Sequence, residues 1–157
     1  MYSIPYVGKA RLIKVLIIDD DVDMTDVLKL VLTSAGFHVD ATSASTQAVE
    51  LTQRINPDVI LLDLLMPGMD GWQVCKAIRQ FSRVPIIILS VFNTPAVLQQ
   101  AFDAGADDYL TKPVTSGMLI AHINGLVRRS RGEMKTGQLM VNAETSRREI
   151  SAQSYHS

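Results

Sequence analysis

Apolar residues along this chain follow two rhythms. Short continuous apolar runs, Val15–Ile18, Val59–Leu62 and Ile86–Leu89, are separated by longer stretches in which apolar residues recur every three or four positions. The first rhythm predicts strands covered on both faces, and the second predicts amphipathic helices. Lys14–Ile18 forms the first predicted strand, ended by Asp19, Asp20 and Asp21, whose carboxylates can satisfy the exposed N–H groups of a following helix. Met24, Val27, Leu28, Val31, Leu32 and Ala35 then form the buried stripe of that helix, which Gly36 stops.

The unit repeats. Phe37–Ala41 reads as a strand, Ser45 opens a helix that turns Ala48, Leu51 and Ile55 inward, and Pro57 ends it. Asp58–Asp63 carries the third strand, and the loop Leu64–Asp70 contains the turn pairs Pro67-Gly68 and Asp70-Gly71. A helix bearing Trp72, Cys75, Ile78 and Arg79 follows, then a strand over Ile86–Leu89. Thr94 caps a helix over Pro95–Ala104, Asp108–Leu110 supplies a short strand near the sheet edge, and Ser116–Ser130 forms a last helix with Leu119, Ile120, Ile123 and Val127 inward. Strands that alternate with helices predict an α/β fold, a doubly wound five-stranded parallel sheet between two helix layers. The chain is too short for an eight-fold barrel, which takes about 250 residues.

Composition narrows the function classes. With 47% hydrophobic and 20% charged residues the chain is expected to fold, and a net charge of −1 argues against a protein that coats nucleic acid. No apolar run exceeds four residues, so no membrane-spanning helix is expected, and the start lacks the pattern of a secretory signal. The single Cys75 rules out an internal disulfide and a thiolate-rich metal site, which points to a cytoplasmic, reducing setting. Charge is uneven: residues 1–125 hold nine Lys/Arg against 13 Asp/Glu, and residues 126–157 hold six against three. An acidic body followed by a basic segment predicts a domain, a linker and a separate element.

In open parallel sheets, polar groups at the carboxyl ends of strands gather in one crevice. Those ends carry Asp19 and Asp20, Asp63, Ser90 and Lys112. A lone aspartate at a strand end is ordinarily a turn or cap residue, and a lone lysine before proline a solvated one. Their joint placement is what points to chemistry. Three carboxylates form an oxygen-rich pocket suited to Mg²⁺. Asp63 is then the expected nucleophile toward phosphorus, with Lys112 neutralising phosphoryl oxygens and Ser90 donating a hydrogen bond to one of them.

The runs Val15–Asp21, Val59–Gly71, Pro85–Ser90 and Gly105–Pro113 resemble, in order and spacing, the receiver domains of bacterial two-component response regulators. The resemblance spans residues 12–130 and implies a flavodoxin-like (CheY-like) receiver fold. It implies that Asp63 is the phosphoacceptor, with Asp19, Asp20, Asp63 and the Leu65 carbonyl holding Mg²⁺. Ser90 and Tyr109 would be the switch pair, Lys112 the lysine of the site, and Lys112–Pro113 a cis bond. It implies phosphoryl transfer from a sensor histidine kinase, with Mg²⁺-dependent self-phosphorylation and slow self-dephosphorylation of Asp63 in place of metabolite turnover. A stand-alone phosphorelay protein acting through protein contacts is the alternative. A small phosphatase is disfavoured, because no water-activating His or Glu stands at the strand ends.

Residues 131–157 read as a linker followed by strand, polar turn and strand at 137–150, similar to the opening hairpin of the winged-helix output domain of OmpR-type regulators. That similarity implies a truncated form, with promoter DNA bound only by a full-length parent. Regulators of that type dimerise through the face made by the fourth helix, fifth strand and fifth helix. Leu98 and Met118 stand here where charged residues are usual, and His122 replaces an arginine. Dimerisation with weak salt dependence is therefore expected, and His122 is expected to be an ordinary exposed or packed helix residue. Val114 stands where the family often has Phe, which would loosen packing beneath the last helix. Trp72 and Cys75 are expected to be packing residues.

Overall fold

The computed structural model of the protein describes residues 11–132. The hairpin expected at 137–150 lies outside them. Five strands, β1 (Lys14–Ile18), β2 (His38–Thr42), β3 (Val59–Leu62), β4 (Ile86–Ser90) and β5 (Asp108–Thr111), alternate with five helices, α1 (Val22–Ser34), α2 (Ala48–Ile55), α3 (Gly71–Arg79), α4 (Pro95–Asp103) and α5 (Ser116–Ser130). Every pairing is parallel, in the order β2-β1-β3-β4-β5. Strand order reverses between β1 and β3, so the crevice of the sheet opens beyond their carboxyl ends. The unit organised by the sheet ends at Val127, within α5.

Because successive strand residues point to opposite faces, each apolar run feeds two cores. Val15, Ile17, Val59, Leu61 and Ile87 pack with Leu28 and Leu32 of α1 and Leu119 and Ile123 of α5. Leu16, Ile18, Ile60, Leu62 and Ile88 pack on the other side with Val74, Cys75 and Ile78 of α3 and Ala101 of α4. Each of the Val, Leu and Ile side chains among these contributes roughly 2 kcal/mol by leaving water. Val114 packs, partly buried, against the first core.

The helix ends follow sequence chemistry. Asp21 caps α1, its carboxylate accepting the Met24 N–H at 3.1 Å. Thr94 caps α4, with Pro95 in its first turn. Arg79, at the end of α3, donates to the carbonyls of Gly105, Ser82 and Val84 and pairs with Asp107 at 2.7 Å. The same Asp107 carboxylate accepts the Ile86 N–H, so one side chain ties α3, β4 and the approach to β5 at the end of the sheet remote from the crevice.

Three expectations are corrected. Val27, 58% exposed, and Ala35, exposed at the C-cap, fall outside the buried side of α1, which is centred on Thr25, Leu28 and Leu32. β2 begins at His38, one residue late, because the Phe37 N–H still donates to the Leu32 carbonyl in the closing turn of α1. Ser45 does not open α2: it lies in a 3-10 turn, Ser45–Gln47, and its hydroxyl bonds to the loop after β3.

Candidate functional site

Register brings the site together. Ile18 of β1 pairs with Leu62 of β3, so the next residues, Asp19 and Asp63, emerge side by side; the Asp63 N–H donates to the Ile18 carbonyl at 2.9 Å. One carboxylate oxygen from each of Asp19, Asp20 and Asp63 lies within 4.8 Å of the others. Lys112, just beyond β5, is held by its N–H to the Ser90 carbonyl and reaches back across the sheet. Its ammonium is 2.9 Å from Asp19 and 4.0 Å from Asp63. Asp19 is buried, Asp63 half-buried and Asp20 exposed, so the cluster reaches solvent through Asp20. The Lys112–Pro113 bond is cis, as the resemblance implies.

Asp63 carries the electrostatic signature of the site. Its carboxyl is raised from 3.8 to about 6, first by burial and then by the neighbouring Asp19, while the Lys112 ammonium and the Leu64 N–H pull the other way. One ammonium therefore does not balance three carboxylates. The donor set is all hard oxygen and carries excess negative charge, which fits a small divalent cation.

The loop that follows Asp63 is fixed from several directions. Leu64 and Met66 are buried, which leaves the Leu65 side chain 53% exposed between them. The Gly71 N–H donates to the Leu64 carbonyl, and a Cβ at Gly71 would lie 2.3 Å from the Asp63 carbonyl oxygen, so only glycine allows this approach. Asp70 and Gln73 close a reciprocal capping box at the start of α3.

Ser90 is buried at the end of β4, and its hydroxyl oxygen accepts the Phe92 N–H at 3.3 Å. Tyr109, partly buried against the second core, donates its hydroxyl to the Phe92 carbonyl. The two expected switch residues thus bond to the same residue, Ser90 at its N–H and Tyr109 at its carbonyl. No local pattern in the sequence marks Phe92 as part of the site. His122 is half-buried on α5 and places Nδ1 against the Asp108 carboxylate, whose other oxygen accepts the Tyr109 N–H at 2.8 Å. Trp72 packs against the second core, and Cys75 is buried with its thiol pushed up by that burial.

Strand-end acids, a lysine beyond the fifth strand and the sheet order that joins them coincide with a known family. The response regulator receiver domain model matches residues 15–124. The chain belongs to that family.

Among relatives, the receiver domain is 35% identical over 120 residues to the DNA-binding response regulator MtrA of Mycobacterium tuberculosis, a match covering 76% of this chain and 53% of that protein. It is 36% identical over 148 residues to the cell cycle transcriptional regulator CtrA of Caulobacter vibrioides, covering 91% of this chain and 64% of the relative. Among solved structures, a two-component response regulator from Clostridium difficile superposes with a TM-score of 0.73 at 32% identity, covering 75% of this chain and 98% of that one. The chain spans about half the length of the MtrA relatives it matches. The receiver's five-stranded parallel sheet is the architecture of these structures. Among the described residues, no helix is long and apolar enough to cross a membrane.

Proposed function

We propose that the receiver accepts a phosphoryl group on Asp63 from a sensor histidine kinase and passes the signal on as a change in its surface. The observation that carries this reading is the meeting of Asp19, Asp20 and Asp63 oxygens within 4.8 Å, with the Lys112 ammonium 4.0 Å from Asp63. In the transfer, a carboxylate oxygen of Asp63 attacks phosphorus, the bond from phosphorus to the donor's imidazole nitrogen breaks, and an acyl phosphate remains. Asp19, Asp20, Asp63 and the Leu65 carbonyl would hold Mg²⁺, which supplies positive charge against the carboxylates and the phosphoryl oxygens. Attack requires the ionised carboxylate, and Lys112 favours that form. The same ammonium stands where it can neutralise oxygen on an arriving phosphoryl group.

Ser90 and Tyr109 form the readout in this proposal. The Ser90 oxygen accepts from Phe92 and keeps its own O–H to donate to a phosphoryl oxygen. When Ser90 turns toward that group, the Phe92 N–H loses its acceptor, and a shift of the Phe92 backbone moves the carbonyl that holds the Tyr109 hydroxyl. The face made by α4, β5 and α5 then changes, and we propose that it mediates homodimerisation.

Control of transcription in the cytoplasm, through the DNA-binding output domain of a full-length parent, is the proposed output. It is supported by the DNA-binding and transcriptional character of MtrA and CtrA, and by the CtrA match, whose coverage of 91% of the chain carries it past Gly132. The test incubates wild type and Asp63→Asn with Mg²⁺ and acetyl phosphate and reads intact mass. One added phosphoryl group in wild type alone is expected; an equal gain in both proteins, or none in either, would contradict the assignment.

A further inference from the structure

Ser45 lies far from Asp63 in sequence and carries no acid–base chemistry, yet it is 2% exposed and both of its hydrogen-bonding capacities are engaged by one turn. Its hydroxyl donates to the Pro67 carbonyl at 2.9 Å and accepts the Met69 N–H at 3.0 Å. Between those two residues Gly68 has φ +86°, and a Cβ there would sit 3.6 Å from the Ser45 oxygen. The hydroxyl therefore closes the turn across Gly68 from outside, in place of a backbone hydrogen bond within it. This turn ends the loop that begins at Asp63 and includes Leu65.

We infer that Ser45 is a positioning residue for the cation site: by clamping Pro67 and Met69 it fixes the course of the Leu65–Met66 backbone against the carboxylates. This inference rests on the cation-assisted reading of Asp63 given above. The stretch from Asp63 to Asp70 is tied at its start by the Leu64 side chain and at its end by the capping box of α3. Its middle is fixed by Met66, buried to 9% exposure, and by the Ser45 clamp. Without the hydroxyl, the Pro67 carbonyl and Met69 N–H turn to water and the loop samples other courses. A carbonyl ligand carried on that loop is then misplaced for part of the time, which weakens the ion without altering any carboxylate.

The test uses the full chain with Mn²⁺ as the probe, free ion being counted by its electron paramagnetic resonance signal. Ser45→Ala is expected to weaken Mn²⁺ about tenfold, the low end of the effect of losing an outer support of a metal site. Ser45→Cys, nearly equal in volume but a poor hydrogen-bonding partner, is expected to do the same and carries the comparison if the alanine variant does not fold. Ser45→Thr, which keeps the hydroxyl, is expected to bind like wild type. In parallel, the Met69 amide should exchange with deuterium slowly in wild type and Ser45→Thr, and quickly in Ser45→Ala. Folded alanine and cysteine variants that bind Mn²⁺ as wild type does would overturn the inference. Equal weakening in Ser45→Thr would assign the effect to packing and overturn it as well. Failure of wild type itself to bind Mn²⁺ would instead remove the cation reading on which the inference stands.

Discussion

Asp63 holds its proton more tightly in the folded protein than in the unfolded chain. The ordinary value of 3.8 rises to about 6, chiefly through burial and the nearby Asp19. The stability that goes with the protonated form is fully present below about pH 4 and is lost as pH rises through about 6. At neutral pH and without divalent cation, the ionised residue is thus a burden on the fold that its function requires. Replacing it by the neutral, similarly shaped Asn should raise the melting temperature of the cation-free protein at pH 7.5 by about 5 °C. The difference should shrink to nothing near pH 4, where wild type is protonated too. Differential scanning calorimetry across this range checks the sign; a lower melting temperature for Asp63→Asn at pH 7.5 would mean that burial and Asp19 together do not make the ionised carboxylate costly.

At the scale of elements, the clearest mechanical device away from the site is Arg79. Its side chain is 13% exposed, and its bonds tie together the end of α3 and the starts of β4 and β5. Arg79→Ala leaves three part-buried carbonyls without their donor and should cost about 2 kcal/mol in urea unfolding. A loss below about 1 kcal/mol, the worth of an exposed ion pair, would show that water replaces those bonds. The link from β4 to β5 gives a second test. Phe92 joins Ser90 to Tyr109, so beryllofluoride with Mg²⁺ should release the Tyr109 hydroxyl from the Phe92 carbonyl and change the Tyr109 rotamer. An unchanged Tyr109 and an unchanged α4–β5–α5 face in that complex would rule out this route. The elements themselves were legible because strands buried on both faces leave continuous apolar runs, and because Asp21 and Thr94 act on their own helices. Ser45, Phe92 and the His122–Asp108 contact were not legible. Each depends on a partner brought near by the fold, as with Ser45 and Pro67, 22 residues apart. Local periodicity carries no trace of such pairs. The misplaced Val27 has a different cause: a helix with apolar residues on more than one side does not declare which side faces the sheet.

For the whole molecule, the positions of the proposed dimer face where charge is usual in the family offer little free charge. Leu98 is half-buried, Phe102 and Met118 are exposed, and Asp108 and His122 contact each other within the chain. Association across this face should therefore vary little between low and high salt in sedimentation experiments on the phosphorylated protein. Dissociation of the dimer by salt would point to cross-subunit ion pairs that these residues do not offer. The site was legible at this scale because its members stand at strand ends, and parallel topology gathers strand ends without further instruction. All the proposed signalling runs through one carboxylate. After treatment with acetyl phosphate and Mg²⁺, borohydride reduction converts an aspartyl phosphate to homoserine, and peptide sequencing by mass spectrometry locates it. The account predicts homoserine at residue 63 and nowhere else; reduction at Asp19 or Asp20, with residue 63 intact, would contradict it.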